Sequence, residues 1–366
     1  MKRVWWAQIG AVVRLEMKKT FFARRGLWIY FLALLPVLLF IGYSIVNSYQ
    51  MRQSSSVARR GEKRLTYQDL QSIQQGMTTD EVVAALGKPP MIFRWTEHKG
   101  QGPEGSSTIS HEQYRYSDGV NDLYVIASEG KVDGVHIQEG YSLERDSTVF
   151  AGVFQFFFLR LAVFFGCLGI FMNLFRGEIL DRSLHFYFLA PIRREVLMAG
   201  KFLAGLLATC VIFVTSELLQ NVAFLWHLSP AVRDIYLYHN HGMEHAAVYL
   251  GVTALACVGY GSFFLVAGML FKNPILPTAG ILIWEALNPF LPALLKQFSV
   301  IYYLKALCPV DIPAPPGMPP LMALLISDPN PVSPVLAVAG LLIVAAIALY
   351  ASSIQVRRME INYTTE

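Results

Sequence analysis

The chain has little charge and little cysteine. Only 15% of its 366 residues are Asp, Glu, Lys or Arg, against 54% hydrophobic residues. That is more apolar material than a water-soluble core of this length needs, so much of it is expected to face lipid. Of the four cysteines, Cys167, Cys210 and Cys257 sit inside apolar runs and Cys308 follows another. None has C-x-x-C spacing, which argues against both a disulfide scaffold and a thiolate metal centre. No G-x-x-x-x-G-K-[ST], H-E-x-x-H or G-x-S-x-G string occurs. The first absence excludes P-loop nucleotide hydrolysis by this chain, and the others leave an intramembrane hydrolase without support. No small-residue cleavage site follows the first apolar run, so that run is expected to be a retained anchor. The net charge of +4 comes from basic residues beside apolar runs, a pattern that writes membrane topology and not nucleic-acid binding.

A bilayer core takes roughly 20 apolar helical residues to cross. About six such runs are present, at 27–46, 149–175, 202–228, 246–271, 275–295 and 335–354. Pro36 in the first predicts a kink. Lys18, Lys19, Arg24 and Arg25 precede the first run, Arg176, Arg182, Arg193 and Arg194 follow the second, and Arg357 and Arg358 follow the last. Short basic flanks mark the cytoplasmic side, so both termini, with the tail 355–366, are expected there. The expected fold class is an all-α polytopic membrane protein of about six transmembrane helices with a small α+β extracytoplasmic domain inserted after the first.

Residues 1–26 mix Trp5, Trp6, Ile9, Val12 and Val13 with Lys2, Arg14, Lys18 and Lys19. The pattern suits a helix in the membrane interface, or one packed on its own protein. Residues 47–65 read as a linker or solvated helix extension. Residues 66–138 are polar and too many for a structureless loop. A short helix over 67–75 closes at Gly76. Thr78 and Glu81 form a capping box with Met77 and Val82 as its staple, and Gly87-Lys88-Pro89 stops the second helix. Strand-like runs follow at 91–96, 112–116, 123–127 and 132–137, with Glu129-Gly130 as the last hairpin turn. The string from Ile73 to Pro89, with Gly130-Lys131-Val132-Asp133-Gly134-Val135, resembles the SmpA/OmlA (BamE-like) family. That resemblance implies a small non-catalytic interaction domain, with an envelope protein as a further partner. Family members are usually anchored through an N-terminal cysteine, which this copy lacks, so a role in outer-membrane assembly does not carry over. A lid or docking module is the expectation, ahead of a ligand-binding domain.

Between the second and third runs, residues 176–201 offer an amphipathic helix that is polar at Glu178, Asp181 and Arg182 and apolar at Ile179, Leu184, Phe186 and Phe188. Pro191 and the pair Arg193-Arg194 follow. A Glu after the second span, a short helix, Pro191-Ile192-Arg193 and the pair Gly200-Lys201 resemble the permease subunits of ABC-2 type ABC transporters. Glu16, Lys18 and Arg24-Arg25 before Leu34-Leu35-Pro36 are similar to that family's N-terminal entry. In the extracytoplasmic Pro-rich segment 296–334, Ser299 to Leu304 with Cys308-Pro309 matches elements before its last span. The resemblance implies an exporter subunit of a bacterial inner membrane. It also implies a contact with a cytosolic ABC ATPase through Glu178, Leu180, Asp181, Arg182, Leu184, Pro191, Arg193 and Arg194, and pairing with a second copy or a related permease. ATP and Mg would sit on the partner ATPase, with no cofactor on this chain. The alternative for the loop is an ordinary connector carrying topology charges.

Ionisable residues inside spans often mark function, and Arg160, Glu217 and Glu285 qualify. Arg160 and Glu285 lie near mid-membrane, where an ion pair is geometrically feasible; a group facing a wet crevice is the alternative. His239, His241, Glu244 and His245 crowd one external loop. Such ligands can hold zinc or copper, but external loops often carry histidine without metal, and none is expected. A rival to transport is a membrane-anchored envelope interaction or assembly factor whose BamE-like domain is the working part.

Overall fold

The computed structural model describes residues 2–22, 26–99, 107–140, 142–180, 189, 192–271, 275–312, 319 and 332–358. In chain order the first elements are α1 (Lys2–Phe22), α2 (Leu27–Arg60), α3 (Tyr67–Gln71), α4 (Thr79–Leu86), β1 (Met91–Lys99), β2 (Ser107–Ser117), β3 (Asp122–Ser128) and β4 (Lys131–Gln138). Next come α5 (Leu143–Gly152), a π-helical stretch Val153–Val163, α6 (Phe164–Phe171), α7 (Asn173–Leu180) and α8 (Arg194–Leu225). The rest are α9 (Pro230–Asp234), a π turn Ile235–His239, α10 (Gly242–Leu270), α11 (Ile275–Leu287), α12 (Ala293–Lys296), α13 (Val300–Leu307) and α14 (Pro334–Arg358).

The chain is a helical membrane protein. Among the described residues, five helices are long and apolar enough to cross a bilayer: Leu27–Arg60, Leu143–Glu178, Arg194–Leu225, Gly242–Leu270 and Pro334–Arg358. The sixth expected run, 275–295, is not among them. α11 stops after 13 residues, about 20 Å at ~1.5 Å per residue, short of a hydrocarbon core of about 30 Å. Asn288-Pro289 and Pro292 supply the reason: proline has no amide for the helical ladder and pushes the preceding residue out of helical geometry. A 3-10 turn at Asn288–Phe290 follows, closed by Asn288 Nδ2 donating to the carbonyl of Lys296 at 3.3 Å. The short helices α12 and α13 come next.

The chain forms two compact units, Met1–Ile41 with Ser147–Glu366, and Gly42–Asp146. In the first, aromatic rings join the helices: Phe150 meets Phe40 at 4.9 Å, Tyr249 at 5.1 Å and Phe224 at 5.2 Å between ring centroids. The buried Phe171 ring lies against Gly205 of α8 and Gly261 of α10, where a β-carbon on either side would collide with it. α1 packs along α8 at Gly200, where a β-carbon would fall 2.9 Å from Val12 Cβ. Glycine thus sets the closeness of this crossing. α1 buries Val12 and Glu16 and leaves Trp6 and Leu15 exposed, so it packs on its own protein and still carries an apolar outer face.

In the second unit, four strands pair antiparallel in the order β1-β2-β3-β4. They are longer than the alternating apolar runs, since cross-strand pairing extends beyond the residues that face the core. The core is Leu70 and Ile73, Val82 and Leu86 of α4, and Tyr114, Tyr116, Leu123, Val125 and Val132 of the sheet. Thr78 caps α4, its hydroxyl accepting from Glu81 N while the Glu81 carboxylate accepts from Thr78 N at 2.9 Å. Thr66 makes the same arrangement with Asp69 on α3, which ends at Gln71 and not at residue 75. Glu129 and Gly130 both have positive φ, 50° and 81°, the conformation a two-residue type I′ hairpin requires.

Candidate functional site

Four charged side chains meet at one end of the helices of the first unit. Lys201, in the second turn of α8, is fully buried. Its Nζ donates to Glu16 Oε1 at 2.7 Å and to the carbonyl of Leu174 at 2.9 Å, and lies 2.8 Å from Glu178 Oε2 as an ion pair. Three oxygens therefore surround an ammonium that carries three protons. The Phe175 ring lies 5.3 Å from the ammonium. Lys19, half exposed, closes on Glu178 Oε1 at 3.0 Å. Two cations and two carboxylates make a neutral quartet spanning α1, α7 and α8. Taken out of water, these charges hold one another or cost several kcal/mol each.

The local sequence explains why the quartet forms. Gly200 lets α1 approach α8, and Lys201 is the next residue along. Glu16 and Lys19 are one helical turn apart on α1, so they present to the same side. Sequence reasoning singled out Glu178 as a partner contact but did not join Glu16 or Lys201 to it. The available signal was a lysine just inside an otherwise apolar helix, a cation that has to find an acid.

Of the other expected coupling residues, Leu180, Arg193 and Arg194 lie around this point. Leu180 closes α7. Arg193, the residue before α8, has its guanidinium 5.0 Å from the Trp5 ring centroid of α1. Arg194 Nη1 donates to the carbonyl of Arg357 at 3.0 Å, and Arg357 Nε pairs with Glu195 at 2.6 Å. Asp181, Arg182, Leu184 and Pro191 lie outside the described residues. α1, α7, α8 and the end of α14 are thus tied together at one end. No protein-family model matches the chain, and no curated protein does.

Of the intramembrane candidates, Glu285 does not pair with Arg160. Its carboxylate accepts from Ser299 Oγ at 2.8 Å and from the amides of Val300 and Ile301, each at 2.9 Å, capping the amino end of α13 where the helix dipole favours negative charge. Arg160 instead lies over the Phe156 ring at 5.2 Å. Glu217 is fully buried; its Oε1 accepts from Asn221 Nδ2 at 3.0 Å while Oε2 has no hydrogen-bond partner among the described residues. Beside it Ser216 donates to the carbonyl of Ala33 at 2.5 Å, holding α8 to α2.

His241 precedes α10 and pairs with Glu244 at 3.0 Å, both exposed, while His239 ends the preceding π turn and His245 lies in the first turn of α10. Among the described residues no three His, Cys, Asp or Glu side chains converge as metal ligands, and all four cysteines are free thiols.

The second unit has a polar cleft of about 120 Å³ between the α2 segment from Tyr43 to Ser54, the sheet, and Arg145-Asp146. Tyr43 donates to Asp146 at 2.5 Å, and Asp122 takes both Ser54 at 2.9 Å and Arg115 at 2.6 Å. On β2, the Tyr114 hydroxyl donates to Glu112 at 2.5 Å. That contact holds the Glu112 carboxyl below its ordinary range, while burial first and Glu112 second push Tyr114 up to about 12.

Proposed function

We propose that this chain is the membrane-spanning subunit of an ABC-2 type exporter, moving a substrate across a bacterial cell membrane with energy from a separate cytosolic ATPase. The observation that carries the reading is the buried Glu16–Lys201–Glu178 contact. A motor outside the membrane needs an element to push on that is rigidly continuous with spanning helices. The ion quartet joins the amphipathic α1 to the end of one long helix and the start of the next, beside the segment 176–194 that the family resemblance assigns to the ATPase. The positive-inside pattern puts this end in the cytoplasm, and nucleotide and Mg would be held by the ATPase.

The test is purification of the tagged chain in mild detergent, followed by mass spectrometry of what accompanies it in stoichiometric amount. A P-loop ATPase is expected, and it should be lost when residues 178–194 are altered. Its absence would remove the transport reading.

One observation favours a second reading, an envelope interaction factor acting through the BamE-like unit. β1 is an edge strand, and Ile92, Phe93 and Trp95 on it are exposed, a pattern that edge strands usually avoid unless something covers them. Envelope proteins retained by residues 66–138 with no ATPase present would support that alternative.

A further inference from the structure

Arg160 is the midpoint of the 36-residue apolar helix Leu143–Glu178. A guanidinium stays protonated at any physiological pH, so its charge has to be met inside the bilayer. The structure leaves the guanidinium's donors open. Arg160 makes no hydrogen bond or ion pair among the described residues, and its Nε is buried without a partner. The acid within electrostatic reach is Glu285, whose two oxygens are already taken by three donors at the start of α13. The remaining contact is the face of Phe156.

Two further features concern access. The backbone carrying Arg160 is π-helical from Val153 to Val163, a rare geometry that recurs at functional positions. Phe156 and Leu161 beside it are 36% and 38% exposed, so Arg160 lies next to open apolar surface. A cation with unused planar donors, set at mid-bilayer beside apolar side chains, complements a ligand with an oxyanion head and an apolar tail. The guanidinium fork matches carboxylate and phosphate oxygens two at a time.

We propose that Arg160 is the recognition point for an oxyanion-headed amphiphile, a carboxylate or phosphate on an apolar tail, at the open face of the second long helix. As the cargo's class, this rests on the exporter reading; as a binding site it is tested on the isolated chain.

The experiment uses the purified full chain in an uncharged maltoside detergent. Its probes are pyrene-labelled dodecanoate, the matching alkyl phosphate and the matching alcohol. The two anions are expected to bind about ten- to a hundredfold more tightly than the alcohol, the range of a charge-assisted hydrogen-bonded contact. Arg160→Gln should abolish that preference and leave alcohol binding as it was. Arg160→Lys keeps the cation without the fork and should fall part-way, and it decides the matter should the glutamine variant not assemble. No headgroup preference in the wild type, or the wild-type preference retained in either variant, would overturn the proposal. Repeating the titration in phosphatidylcholine nanodiscs separates two sources of the oxyanion. Loss of probe binding there assigns the site to the bilayer's own phosphate, and persistence assigns it to a separate amphiphile. A co-purifying ATPase alongside absent headgroup preference would remove this inference and leave the exporter reading standing.

Discussion

Lys201 Nζ lies 2.7 Å from Glu16 Oε1 across 185 residues of sequence, and no part of the lysine reaches solvent. The pair is part of the neutral quartet with Glu178 and Lys19. Its energetics follow from what remains when one member is removed.

Lys201→Met should destabilise the protein by about 3–5 kcal/mol, because it removes the buried cation that Glu16 and Glu178 share. Adding Glu16→Gln and Glu178→Gln to that variant should recover much of the loss. Thermal unfolding in detergent, followed by loss of the monodisperse elution peak, measures both. Equal stability of Lys201→Met and wild type would mean that water reaches the quartet freely.

Gly200→Leu should separate α1 from α8, since even the first added carbon falls 2.9 Å from Val12 Cβ. Overpacking of this kind costs about 1–3 kcal/mol. The expected readout is faster protease cleavage within Lys2–Phe22, with the five long helices still protected.

Glu285→Leu should loosen α13, leaving the Val300 and Ile301 amides without their acceptor at about 1–3 kcal/mol for each unsatisfied buried donor. Glu285→Gln keeps one acceptor oxygen and should cost less. Hydrogen exchange at Val300–Leu307, compared with exchange in Gly242–Leu270, gives the local readout.

The Asp69 carboxyl is held below its ordinary range by the backbone amide and then the hydroxyl of Thr66. A depressed folded-state value means that the contribution is present above the ordinary carboxyl pKa and is lost as pH falls through the lower folded value. Exchange protection of the α3 amides, corrected for intrinsic rates, should therefore fall below about pH 4. Asp69→Asn should lower protection at neutral pH and remove the acid dependence.

Local signals were readable in the sequence, and long-range ones were not. Thr78 with Glu81 and Glu129 with Gly130 are set by neighbours within three residues, so the cap and the hairpin turn could be read directly. The end of α11 was missed because apolar character continues to Leu295 while Asn288-Pro289 has already broken the ladder. The stretch 51–60 reads as a linker or a solvated helix extension for want of an apolar stripe, and it is the second: α2 continues to Arg60, with Ser54 and Val57 buried. At the candidate site Glu178 and the Gly200-Lys201 pair stood out individually. What joins them is a helix-on-helix approach that no spacing within 176–201 encodes. The Arg160–Glu285 pairing that depth alone allows gives way to three donors at the start of α13, nearer in sequence and aligned with a helix dipole.

The quartet also bears on how the chain is made. Glu16 and Lys19 leave the ribosome first, Glu178 follows 159 residues after Lys19, and Lys201 comes last. Until the helix carrying Lys201 has entered the bilayer, neither Glu16 nor Glu178 has its contact with that ammonium, and α1 lacks the helix it packs along. Closure of the quartet thus waits for α8. A chain arrested before α8 would hold its N-terminal helix loose and visible to quality-control proteases, and a completed one would not.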